Sequence, residues 1–324
     1  MTAAKSMKIL IVTPAPPRSR TGNRVTALRW AAILRELGHR ITIRSEYTNQ
    51  RCDLLIALHA RRSYLSIERF RHDHPDRPLI VALTGTDVYS DLRNDALARR
   101  AIQWATRVVV LQPLAARKLP QRLRDKVRVI HQSVRPPARR AAPRRDTFDV
   151  CVVGHLRPVK DPFRAAEAAR WLPDSSRVRI LHAGAAMSED MADQARREMR
   201  ENPRYLWLGE LPRWQAMGLM MRSRMLVLSS LMEGGANVIS EAAALSVPVA
   251  ASRIPGSVGL LGADYPGYFR VGDARALARL LHRAENDAGF LDRLKSHVRR
   301  LAPLVRPSNE RRSWAALIRE LRSG

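Results

Sequence analysis

The sequence predicts an α/β protein made of two parallel sheets, each covered by helices. Three observations lead there. Short β-rich runs alternate with helical periodicity through the first half, the alternation lapses after Ile130 in a proline- and arginine-rich stretch, and it then restarts. With 324 residues, 45% of them apolar, the chain can give each of two domains its own core.

In the first half, strands are expected at Lys8 to Thr13, Arg40 to Arg44, Asp53 to Leu58, Leu79 to Leu83, Val108 to Leu111 and Val127 to Ile130. The first helix opens near Gly22, carries Val25, Leu28 and Ala32 on one face, and is stopped by Gly38, as glycine commonly does at a helix C-terminus. Ser133 to Arg145, with three prolines and five arginines, cannot supply a core and reads as a linker. Strands resume at Phe148 to Val153, Val178 to Ala183, Tyr205 to Leu208, Met225 to Ser229 and Pro248 to Ala251. Pro307-Ser308 starts a last helix whose Trp314, Leu317, Ile318 and Leu321 form an apolar stripe that must be covered. The expected organisation is an N-terminal Rossmann-like domain over 1–132, a linker over 133–146, a second such domain over 147–305, and a helix over 306–324 returning to the first domain. Ligands of open α/β sheets bind at the carboxyl ends of the strands, so the expected site is the cleft where the two domains face one another.

Composition narrows the function. No apolar run approaches the length of a membrane span, and Lys8 to Val12 is cut short by Pro14 before it could act as a signal peptide, so a cytoplasmic protein is expected. Cys52 and Cys151 fit buried thiols of a reducing compartment better than a disulfide framework or a zinc site. A formal charge of +27 would ordinarily point to nucleic acid, but only six of the 57 basic residues are lysines and the arginines spread along the whole chain instead of forming a patch. Aromatic residues make up 5% and do not interleave with the basic ones as a base-stacking platform would require. Nucleic-acid binding remains the alternative from another class. Trp207, Trp214, Met217, Met220 and Met221 read as core.

Two motifs carry chemistry. Glu233-Gly234-Gly235-Ala236-Asn237-Val238-Ile239-Ser240-Glu241-Ala242 follows an apolar strand and precedes a helix-forming run. Its glycines therefore sit on a strand-to-helix turn, which aims backbone N–H groups and the positive end of a helix at one point, as a phosphate needs. Glu241 lies about one turn into the helix and can face the same space as Glu233, one carboxylate taking a sugar and the other a ribose. The alternative is a solvated loop glutamate beside a helix-surface glutamate. The second motif, Gly154-His155-Leu156-Arg157-Pro158-Val159-Lys160-Asp161-Pro162, places Arg157 and Lys160 on a Pro-stiffened loop, where two cations can meet one diphosphate. An exposed basic turn is its alternative reading.

Taken together, the two motifs resemble the nucleotide-sugar site of the GT-B glycosyltransferases of the group-1/family-4 class. The resemblance implies that Arg157 and Lys160 hold the donor diphosphate, Glu241 the ribose, and Glu233 with the amides of Gly234, Gly235, Ala236 and Asn237 the transferred sugar, beside the Gly154 turn. From Lys8 to about Arg283 the chain is also similar to the compact selenosugar synthases of selenoneine biosynthesis. That likeness rests on Thr13-Pro14-Ala15-Pro16-Pro17 with Gly22-Asn23-Arg24, on Ile56 to Ser63, on Leu83-Thr84-Gly85-Thr86-Asp87-Val88-Tyr89, and on Asp264 to Phe269. It implies a UDP-sugar donor, UDP-N-acetylglucosamine or UDP-glucose, and selenophosphate as acceptor.

Gly22, Asn23 and Arg24 open the first helix, with Arg18 and Arg20 close in sequence, while His59, Arg61 and the run Thr84, Gly85, Thr86, Asp87 lie at carboxyl ends of strands. These residues read as an anion-friendly acceptor pocket, although Arg18 and Arg20 read more readily as ordinary solvent-facing arginines. A small anionic nucleophile attacks without a strong general base, so positioning and charge neutralisation by Arg157 and Lys160 would suffice. His59 could orient the acceptor, assist phosphate loss or bind the sugar, or it could be structural; Asp87 could equally be a helix cap. No cofactor and no metal are expected, because the basic pair and helix amides take the cation's place. A transferase of the same class acting on a polysaccharide or lipid is the alternative within the fold.

Overall fold

The computed structural model of the chain describes residues 6–19, 21–138 and 141–323, apart from the side chains of Thr86 and Ser323. Arg20, Arg139 and Arg140 lie outside the described residues. The chain divides into two compact units, one running to Ser133 and resuming at Pro307, the other spanning Val134–Arg306.

The first unit contains β1 (Lys8–Val12), α1 (Gly22–Glu36), β2 (Arg40–Arg44), β3 (Leu54–Leu58), α2 (Tyr64–Asp73), β4 (Leu79–Leu83), α3 (Asp91–Asn94), α4 (Ala96–Trp104), β5 (Arg107–Val110), α5 (Pro113–Ala116) and β6 (Val127–Val129). Its six strands are parallel in the order β2-β1-β3-β4-β5-β6. Successive side chains of a strand point to opposite faces, and here both faces are covered. Leu10, Val12, Leu55, Ala57, Val81 and Val110 pack with Ile67, Phe70 and Ile102 on one side. Ile9, Ile11, Leu54, Ile56, Ile80 and Val109 pack with Trp30, Leu34 and Trp314 on the other. This explains why the inner strands β1, β3, β4 and β5 read as apolar runs, whereas the edge strand β2 alternates and has no buried residue.

The first helix is rotated from the face expected for it. Leu28 and Ala32 are exposed, and the buried stripe is Thr26, Ala27, Trp30, Ala31, Ile33 and Leu34. Trp30 has the largest apolar surface on the helix and decides the rotation, meeting Trp314 edge to face with centroids 4.9 Å apart. Gly38 ends the helix region at φ +87°, its N–H donating to Arg35 O at 2.9 Å.

The second unit contains β7 (Phe148–Val153), α6 (Arg164–Ala169), β8 (Val178–Ala183), α7 (Glu189–Glu201), β9 (Tyr205–Trp207), α8 (Arg213–Arg222), β10 (Met225–Leu228), α9 (Asn237–Leu245), β11 (Val249–Ser252), α10 (Pro255–Leu261), β12 (Tyr268–Phe269), α11 (Ala274–Asn286) and α12 (Ala288–Arg300). These strands are also parallel, in the order β12-β11-β10-β7-β8-β9. The two-residue β12 is too short to leave a periodic signature and was not expected. Trp214 is not core: it is 71% exposed in the first turn of α8, while Met217 and Met220 one turn later are buried, and Trp207 and Met221 are half-buried.

Residues 135–138 and 141–147 carry no regular secondary structure. Val134 is buried and its N–H donates to Val305 O at 2.9 Å, so the second unit begins there. The last helix, α13 (Pro307–Ser323), packs on α1 within the first unit through Trp314, Leu317 and Ile318. Its Glu310 is fully buried and accepts from Trp30 Nε1 at 2.8 Å, Arg29 Nε at 3.1 Å and Ser133 N at 2.8 Å. These charge-assisted bonds satisfy a carboxylate that would be costly to bury alone. Both cysteines are free and buried. Among the described residues no helix is long and apolar enough to cross a membrane.

Candidate active site

In the second unit the strand order reverses between β7 and β10, its neighbour in the sheet. Open α/β sheets leave a crevice at the carboxyl edge of such a reversal, because the connections on either side leave in opposite directions. The loop after β7 carries Gly154 to Lys160, and the loop after β10 carries Ser229 to Ala236, so both sequence motifs flank this crevice.

Hydrogen bonds tie the two loops together. Ser229 Oγ donates to Lys160 O at 3.1 Å and Asp161 O at 2.8 Å, and Leu231 N donates to Val159 O at 2.9 Å. Gly154 and Leu156 donate their N–H groups to Ala183 O and Ala185 O, both at 2.9 Å, which extends the sheet edge beneath the loop. Burial drives the pKa of His182 down to about 4, so its imidazole is neutral at ordinary pH. Its Nε2 then carries the proton and donates to Gly154 O at 3.1 Å, while Nδ1 accepts from the Tyr205 hydroxyl at 3.0 Å.

Lys160 Nζ forms an ion pair with Glu233 Oε1, which also accepts from Ser230 Oγ at 2.7 Å. Arg157 is exposed, sits in extended conformation just before a single 3₁₀ turn, and has no ion-pair partner among the described residues. Gly234, Gly235 and Ala236 lead into α9, whose N-cap Ala236 makes no side-chain cap bond. That leaves the positive end of α9 uncapped by its own N-cap side chain. Glu241, one turn inside α9, accepts from Arg213 Nε at 3.2 Å. The arrangement offers two cations, a helix terminus and two carboxylates around one sheet edge, a set of groups that can hold a diphosphate and hydroxyl-bearing rings.

Residues 136–301 match the family "Glycosyl transferases group 1". The chain belongs to the group 1 glycosyltransferases. It is 27% identical over 282 residues to "Glycosyltransferase 1 domain-containing protein 1" of Xenopus tropicalis, a match covering 79% of this chain and 81% of that protein. Its fold is that of the GT-B glycosyltransferases. It is similar to Anabaena Alr3699/HepE, crystallised with UDP and glucose, with a TM-score of 0.75 at 16% identity over 97% of this chain and all of that one. It is also similar to sucrose-phosphate synthase from Thermosynechococcus elongatus, with a TM-score of 0.77 at 15% identity over 98% of this chain.

In the first unit of this glycosyltransferase the strand order reverses between β1 and β3, and the residues expected at an acceptor pocket lie on the segments that follow β1, β3 and β4. His59 follows β3 in a left-handed conformation, φ +73°, and is buried. A non-glycine side chain held there is costly. Its Nδ1 lies 4.0 Å from Asp87 Oδ2 and its Nε2 3.8 Å from Asp91 Oδ2. Asp87 is fully buried and accepts from the N–H groups of Ala60 at 3.1 Å and Gly85 at 2.9 Å, so it ties the β3 and β4 ends together rather than capping a helix with its side chain. Burial raises its pKa; the nearby His59 and the two amides oppose that. Thr84 Oγ1 donates to Asn23 Oδ1 at 2.7 Å, Gly22 is the exposed first residue of α1, and Arg24 is half-buried. Arg61 is turned to Asp95, 2.5 Å from Nε to Oδ2, and Arg18 is exposed. Thr86 lies in a 3₁₀ turn with Asp87 and Val88.

Four residues at these edges escaped sequence reasoning. Arg213 and Asp91 act through contacts between distant segments, and neither stands in a motif; Ser230 had a local signal, a hydroxyl three residues before Glu233. Gly256 had a signal: a glycine right after Pro255 where a helix follows a strand. A Cβ at Gly256 would lie 2.1 Å from Glu233 O, so the first turn of α10 is pressed against the backbone of Glu233.

Proposed function

We propose that this glycosyltransferase takes a UDP-sugar as donor at the β7/β10 edge and transfers the sugar to selenophosphate in a reducing cytoplasm. The observation carrying the donor half is the Lys160–Glu233 ion pair at a strand-order reversal, with Glu241 one turn into the helix that follows the same loop. UDP is the nucleotide bound by Anabaena Alr3699/HepE, which has the same fold. The acceptor half is supported by the sequence resemblance over Thr13 to Pro17 with Gly22 to Arg24, Ile56 to Ser63, Leu83 to Tyr89 and Asp264 to Phe269.

In this reading Arg157 and Lys160 take the diphosphate, Glu241 the ribose, and Glu233 with the amides after Gly234 the sugar. Selenium attacks the anomeric carbon and forms the C–Se bond, while the C–O bond to the diphosphate breaks and its electron pair leaves with UDP. Charge on the departing diphosphate is met by two cations and a helix terminus, so neither a base nor a metal is required of this site. The phosphoryl group left on selenium is removed later by water.

One observation favours a second reading, in which the acceptor is a hydroxyl compound. His59 is a buried imidazole with Nε2 beside Asp91, a group that can take up a hydroxyl proton at Nδ1 once that nitrogen is released from the Arg62 N–H it accepts at 3.3 Å. Incubation with UDP-N-acetylglucosamine or UDP-glucose and selenophosphate, followed by mass spectrometry, decides between them. A product with the sugar bound to selenium supports the first. UDP release and a glycoside only with hydroxyl acceptors supports the second.

A further inference from the structure

Both carboxylates of the donor motif are engaged in the protein as it stands, Glu233 by Lys160 and Ser230, Glu241 by Arg213. We infer that the Lys160–Glu233 ion pair is an exchange contact that makes sugar recognition conditional on the diphosphate, with Ser230 as the positioning residue that holds Glu233 when Lys160 leaves it. This rests on the donor-site reading above.

The backbone on both sides of the pair is fixed. The Lys160 and Asp161 carbonyls accept from Ser229 Oγ, and Gly256 closes on the carbonyl of Glu233. Ser230 is fully buried, and its own carbonyl accepts from Ser252 Oγ at 2.6 Å, so its hydroxyl is held where it is needed. Only the Lys160 side chain, a flexible four-carbon stem with a single charge, is free to change partners. Lys160 and Ser230 both act on Oε1 of Glu233, and among the described residues no donor reaches Oε2. A diphosphate beside Lys160 competes for its charge. As the ammonium turns to phosphate, Glu233 loses its compensation and becomes a stronger acceptor, oriented by Ser230, with Oε2 open to sugar hydroxyls. UDP alone therefore breaks an ion pair without replacing it, whereas UDP-sugar restores a partner to Glu233. Product UDP is held more weakly than its phosphate contacts alone would dictate.

The test is calorimetric titration of UMP, UDP and UDP-glucose into wild type, Glu233→Gln, Ser230→Ala and Ser230→Thr. With Glu233→Gln, UDP binds about five- to tenfold tighter than to wild type, UMP is unchanged, and the preference for UDP-glucose over UDP disappears. Ser230→Ala keeps UDP affinity within about twofold, loses on the order of tenfold of that preference, and raises KM for UDP-glucose, while Ser230→Thr, which keeps the hydroxyl, regains it. UDP that binds wild type but no more tightly to Glu233→Gln overturns the exchange. Equal weakening of UDP and UDP-glucose by Ser230→Ala overturns the positioning role. Wild type that fails to bind UDP at all overturns the donor reading first and this inference with it.

Discussion

Replacing Gly256 by alanine tests whether the position of Glu233 depends on the close approach of α10. The added Cβ would stand 2.1 Å from Glu233 O and 2.9 Å from both its carbonyl carbon and its Cβ. Restoring an ordinary contact of about 3.4 Å requires the two backbones to separate by about 1.3 Å, and backbone, unlike a flexible side-chain tip, gives way at a cost. Overpacking of this kind costs about 1–3 kcal/mol of stability. A displacement of about 1 Å at a group that positions substrate costs on the order of 100-fold in rate, or about 2.7 kcal/mol of transition-state stabilisation. The expected result is therefore a kcat for UDP release lowered by about two orders of magnitude, with UDP affinity kept within a few-fold because Arg157, Lys160 and Glu241 are not pressed. Gly38→Ala is the control: at φ +87° with nothing within 4 Å, it should cost about 1 kcal/mol of stability and leave kcat unchanged. A Gly256→Ala enzyme with wild-type kcat and melting temperature would refute the reasoning.

Other outcomes follow from the same geometry. His182 stays neutral when folded, with a pKa near 4 against 6.5 in the unfolded chain, so the unfolded state binds the extra proton as pH falls. Stability of the second unit is thus intact above pH 6.5 and drops by about 3 kcal/mol towards pH 4 from this group; urea midpoints should show that slope, flattened in His182→Gln. Burial pushes the Cys52 and Cys151 thiols up to about 11 and about 12, so native protein at pH 8 should resist a thiol reagent that labels both after denaturation. If Arg157 and Lys160 supply the positive charge as proposed, transfer persists in excess EDTA; complete loss restored by magnesium would count against that assignment.

What could be read in advance was whatever is encoded locally. Strands buried on both faces announce themselves as apolar runs, and a glutamate followed by two glycines between a strand and a helix marks a turn whatever surrounds it. The rotation of α1 was not legible, because Val25, Leu28 and Ala32 match the helical period as well as the true stripe does; the weight of Trp30 against Trp314, distant in sequence, decides it. Charge around His59 was misjudged for a related reason. Arg61 looked available until the fold brought Asp95 to it, and Asp91 had no motif to reveal it beside the imidazole. Residue type alone points Trp214 to the interior, and only the fold places it in solvent. Arg213 is 28 residues from Glu241 and became visible only once the fold joined them, whereas Ser230, three residues before Glu233, was legible as a local spacing.

The most direct measurement is the affinity of UDP for wild type and for Glu241→Ala, by titration calorimetry at one salt concentration. In the proposed role, with Glu241 taking the ribose by charge-assisted hydrogen bonds, the variant should bind at least about tenfold more weakly while its melting temperature stays near that of wild type. Equal affinity in the two proteins would contradict the placement of the nucleotide at the β7/β10 edge.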